Sequence, residues 1–139
     1  MAVADAGGGG MRFRAVAVIT AVVTLVLGVG YLFAGSLMVG RWRIESTTSV
    51  LLLGRRMGAL YVGLAVIFFL ARSTALSAAR TALCAGAAVT CSLLALLGVY
   101  EFSVGHAGPG ILVSVALEAL LALAYIWIIS ADRWLAPGG

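Results

Sequence analysis

Apolar residues in this chain fall into four long runs separated by short polar breaks. The runs cover 15–39, 50–71, 82–100 and 110–129, each near the ~20 residues that carry a helix across ~30 Å of hydrocarbon. A backbone surrounded by lipid has to satisfy its own amides, so each run is expected to be a helix. The breaks GRWRIESTTS, RSTALSAAR and EFSVGHAGP are short enough to join antiparallel neighbours. Pro109 and the glycines beside it end the third helix and open the fourth, and the hydroxyl run from Ser46 to Ser49 suits a helix start. The expected fold is therefore all-α, an integral membrane four-helix antiparallel bundle over residues 15–130. Residues 1–14, which open MAVADAGGGG, are expected to be a disordered tail, and 131–139 a short C-terminal tail.

Composition supports a lipid solvent. Of 139 residues 63% are hydrophobic and 10% charged, with a mean hydropathy of +1.17; soluble domains carry about 25% charged residues. The first run is too long for a signal-peptide core of about 7–15 residues, which favours an uncleaved span, and Met11 serves as well as Met1 for a start. The net charge of +4 comes from arginine, since the chain has no lysine. The arginines cluster at the ends of apolar runs, a pattern of topology signals that excludes a nucleic-acid face. With Arg12, Arg14, Arg72, Arg80 and Arg133 on one side against Arg41, Arg43 and the Arg55-Arg56 pair on the other, a modest bias, both termini are expected in the cytoplasm and the protein in the inner membrane. Trp42, at a span end, fits the aromatic belt.

Two arginines interrupt the second run, in LLLGRRMGALYVG at 51–63. Both are shallow enough to snorkel to headgroups. Helical geometry nevertheless separates them: Arg55 stands within ~60° of Gly58, while Arg56 lies nearly opposite. Gly54 and Gly58 form a GxxxG seam for close helix approach, so Arg55 is expected to face the bundle. A buried guanidinium needs a partner, and Glu118, roughly 12 Å into the fourth helix, is the natural one. Glu118 shares a face with Ser114, Leu121 and Tyr125. The alternative keeps Glu118 neutral and hydrogen-bonded. Together Arg55, Glu118, Tyr61, Tyr125, Glu101 and His106 make up the expected intramembrane polar cluster.

Other chemistry is sparse. Cys84 and Cys91 lie two turns apart on one helix and are neither a disulfide nor a CxxC, so they read as packing residues. His106 is the sole histidine, which leaves paired-histidine haem ligation and a metal site without ligands. No hydroxyl nucleophile has a base at catalytic spacing. No cofactor, no metal and no catalytic residue is expected.

GRRMGALYVGLAVIFFLAR (54–72) and GVYEFSVGHAGPGILVSVALEALLALAY (98–125) resemble the DoxX-like small four-helix bacterial membrane proteins, closest to those of unknown function. The resemblance implies a four-helix membrane fold, with some relatives acting as subunits of membrane oxidoreductases, and it carries over no catalytic residue. The expected function is an accessory or interaction subunit without catalysis of its own. Alternatives are a binder or carrier of a small lipophile such as a quinone, held near Arg55, Tyr61, Glu118 and Tyr125, and a subunit of a redox enzyme. Its partners would be the lipid bilayer and either a membrane protein or a second copy of the chain.

Overall fold

A computed structural model describes residues 6–135, with side chains over 8–133. Five helices follow one another: α1 Ala6–Phe33, α2 Gly35–Gly40, α3 Thr48–Ala71, α4 Ala78–Ser103 and α5 Ile111–Leu135. Among the described residues there is no strand. Four of these helices, over Gly8–Phe33, Thr48–Ala71, Ala78–Ser103 and Ile111–Arg133, are long and apolar enough to cross a membrane.

The helices overrun the apolar runs at both chain ends. Residues 6–14, expected within a disordered tail, are the first turns of α1. Phe13 is wholly buried there, in a core cluster with Ala17, Ala21, Phe68, Cys84, Ala88, Tyr125 and Ile128. Residues 131–135, expected as tail, continue α5 and bury Asp132. Residues 1–5 and 136–139 of the two expected tails lie outside the described part.

The first run also breaks where hydropathy shows no break. Ala34 leaves helical geometry at φ −128°, ψ 37°, and α2 starts afresh. Hydrogen bonds from the Ala34 amide to the Gly30 carbonyl at 2.8 Å and from the Met38 amide to the Ala34 carbonyl at 3.1 Å bridge the break, and the Met38 side chain lies against Gly30. Both following spans open on the hydroxyl caps their sequences offer. Thr47 accepts from the Val50 amide at 3.3 Å and Ser77 from the Arg80 amide at 3.3 Å, each satisfying one of the amides that a helix start leaves free.

Packing sorts the spans into two pairs, α1 with α3 and α4 with α5, joined mainly where α1 meets α5. Glycine sets the first pair: a Cβ on Gly58 would stand 2.8 Å from the Gly28 carbonyl oxygen, and one on Gly28 would stand 2.9 Å from that of Gly58. Gly98 does the same for the second, where a Cβ would come within 2.5 Å of a Val115 methyl. Consecutive α3 and α4 make no extensive contact with each other. At the end of the molecule where α3 begins, the two loops are tied, with the Gly108 amide donating to the Trp42 carbonyl at 2.7 Å.

Candidate functional site

Because α3 and α4 stay apart, the two pairs enclose a cavity of 480 Å³ lined by α1, α3, α4, α5 and Trp42. Its walls are mostly aliphatic, with Val23 and Leu27 of α1, Leu64 and Ile67 of α3, Leu83 and Leu94 of α4, and Leu117 and Leu121 of α5. Gly86 and Ala87 of α4 keep one wall low. The core cluster underlies one end. There Thr20 lies within 2.7 Å of the Tyr125 hydroxyl while donating to the Val16 carbonyl at 2.9 Å.

Among the polar groups of the walls, Thr90, Cys91 and Ser114 make no side-chain hydrogen bond to a described residue, and most of the others fall into two kinds. Thr20 and Thr24 bond back to carbonyls of their own helix, so their hydroxyls are already partnered. The aromatic groups sit toward the tied-loop end: Tyr31 stacks on Tyr61 at 6.1 Å between centroids and meets Trp42 edge-on at 6.4 Å. Trp42 is half-buried and lines the cavity. Glu118 is the sole charged residue in the lining, and no basic residue shares it. Among the described residues its carboxyl takes part in no hydrogen bond and no ion pair.

This arrangement overturns the expected Arg55 to Glu118 pair. Arg55 and Arg56 are both exposed. On α3 the buried line runs through Gly58, Ala65 and Phe68, and Tyr61 and Leu64 on one flank face the cavity. Arg55 stands roughly 60° round from Gly58 on the opposite flank, so its side chain leads away from Glu118. The six residues of the expected cluster therefore separate. Tyr61 and Glu118 share the cavity, Tyr125 lies wholly buried behind Thr20, and Glu101 pairs with His106 at 2.8 Å beside the last loop. That pair is exposed, with the imidazole two-thirds open.

The buried ion pair of this molecule is elsewhere. At the opposite end from the tied loops, Arg80 of α4 contacts Asp132 of α5 at 3.0 Å, with side chains only 3% and 11% exposed. The same guanidinium donates to the Gly9 carbonyl at 3.0 Å and lies 4.5 Å from the Phe13 ring centroid, tying α1 to the second pair. Sequence reading had assigned Arg80 to topology and Asp132 to a tail. The available signal was that a base in the first turn of α4 and an acid in the last turn of α5 lie on the same side of two helices joined by a short loop.

Chemically, the cavity offers an apolar volume, the aromatic side chains of Tyr31, Trp42, Tyr61 and Phe68, and a carboxyl. Cys84 is buried in the core, and Cys91, also expected to pack, lines the cavity. Among the described residues no three His, Cys, Asp or Glu side chains gather as a metal site would need. The chain matches no family model, no curated protein and no solved structure.

Proposed function

We propose that this chain is a multi-pass inner-membrane protein that binds one small lipophile between its two helix pairs, and that holding this molecule, without catalysis, is what it contributes to a membrane system. The observation that carries the reading is the 480 Å³ cavity, walled mainly by aliphatic side chains with a few polar groups among them. Small-molecule sites have this size and make-up. Of the functions considered from sequence, the lipophile binder gains most from this geometry, and an accessory role remains compatible with it. The DoxX-like resemblance of 54–72 and 98–125 belongs to the same proposal.

In the proposed arrangement the spans form an antiparallel bundle with both termini cytoplasmic. Thr20 meets Tyr125, and two turns further along each helix, about 10 Å, Leu27 comes level with Glu118. Gly28 packs on Gly58 and Val62, which brings Tyr61 to that level too. Glu118 and Tyr61 then face the same mid-depth section of the cavity, and the gap between α3 and α4 gives a lipophile lateral access from the bilayer.

The test is native mass spectrometry of protein released directly from membranes. Wild-type protein is expected to carry a single small adduct, which Gly86→Phe loses by filling the cavity. A Cβ at Gly86 meets nothing within 4 Å, so the fold has room for the new side chain. Release of the wild type with no adduct, or with one that Gly86→Phe retains unchanged, would refute the reading.

A further inference from the structure

Glu118 poses a problem that the rest of the chain leaves unsolved. It projects from the middle of α5 into an apolar cavity, with no arginine, lysine or histidine in the lining and no hydrogen bond from a described residue. The nine arginines of the sequence do nothing for it. Arg55 is exposed on the far flank of α3, and Arg80 is committed to Asp132. Charged groups at such depth in a membrane protein pair with something, line a pathway, or take a counter-ion from a ligand.

The surroundings say which sign of ligand fits. Tyr31, Tyr61 and Trp42 all line the cavity and contact one another in a stacked and an edge-on pair. Aromatic rings attract cations through their negative faces, and desolvation strengthens the attraction. The Thr20 and Thr24 hydroxyls are already bonded within α1, and the Thr90 and Ser114 hydroxyls that also line the cavity are neutral dipoles that serve a ligand of either sign, so the full charge of Glu118 decides. An anion would meet the carboxyl and the rings with the wrong sign, and a neutral hydrocarbon would leave the half-buried carboxyl without a partner.

We propose that the occupant of the cavity is a lipophilic organic cation, held by the Glu118 carboxylate and the rings of Tyr31, Tyr61 and Trp42, with its apolar groups against Leu27, Leu64 and the α4 wall. This rests on the lipophile-binding reading and adds the charge of the ligand to it.

Three tetraaryl compounds of one shape separate charge from size: tetraphenylphosphonium, neutral tetraphenylsilane and tetraphenylborate. Binding is measured by equilibrium dialysis against purified protein in one detergent. The phosphonium is expected to bind saturably and at least about tenfold tighter than the other two, on the scale of a desolvated cation–π contact joined to a carboxylate. Glu118→Gln should lower its affinity to that of the silane, and Tyr61→Leu should weaken it. Equal binding of all three, preference for the borate, or a phosphonium preference that survives Glu118→Gln would overturn the inference while leaving a lipophile site in place. If none binds although the native adduct is present, the cation is again refuted and the site stands. If none binds and no adduct exists, both readings fail. The wild-type comparison decides the sign of the charge even if a variant does not fold.

Discussion

Arg80 and Asp132 show what a charge costs in an apolar protein. Each alone would be a buried, unpaired ion, and removing one partner of such a pair costs roughly 3–5 kcal/mol, whereas replacing both by apolar groups is often neutral. Asp132→Asn or Arg80→Met is therefore expected to lower thermal stability in detergent sharply, and the double variant Arg80→Met/Asp132→Leu to recover most of the loss. Additive losses would show that the two residues act independently. Arg55, which touches neither the cavity nor the core, should tolerate leucine within about 0.5 kcal/mol with ligand binding unchanged. At this scale the sequence was half legible. The depth of Glu118 and its shared face with Ser114 could be counted from the helix period, and both line the cavity. The partner could not: a helical wheel gives the angle of Arg55 on its own helix but not the azimuth at which α5 stands.

Helices pack here through glycine, and the same residue type has opposite roles on α4. Gly98 is pressed against Val115, while Gly86 opens on the cavity. Gly98→Leu is expected to destabilise by about 1–3 kcal/mol through overpacking, and Gly86→Phe to keep the melting temperature while abolishing ligand binding. Thermal melts of the two variants side by side test this, and a matching loss of stability in both would contradict the two-pair architecture. Hydropathy located the four long helices because lipid-length apolar runs have few alternatives. It missed their ends, since helices continue wherever polar atoms find partners: Ser77 and Thr47 cap the starts, Asp132 extends α5 to meet Arg80, and Phe13 draws the first turns of α1 into the core. The break at Ala34 was invisible to hydropathy because apolar residues lie on both sides of it.

The whole molecule consists of two well-packed pairs, with a gap between α3 and α4 and the cavity between the pairs. Its proposed orientation is open to labelling in a variant whose two cysteines are replaced by alanine. A cysteine at Ser46, in the loop before α3, is expected to react with an impermeant maleimide in intact cells, and one at Ser73, after α3, only after permeabilisation. The reverse pattern would turn the protein over without altering the cavity. The cavity itself is reported by Trp42, which lines it, once Trp127 and Trp134, the other two of three tryptophans, are changed to phenylalanine. With protein in lipid nanodiscs, a small brominated arene dissolved in the bilayer is expected to quench Trp42 saturably at one molecule per chain, and to lose that saturable phase in Gly86→Phe. Quenching that rises linearly and equally in both proteins would mean that Trp42 faces bulk lipid, and the account of a ligand-holding cavity would be wrong.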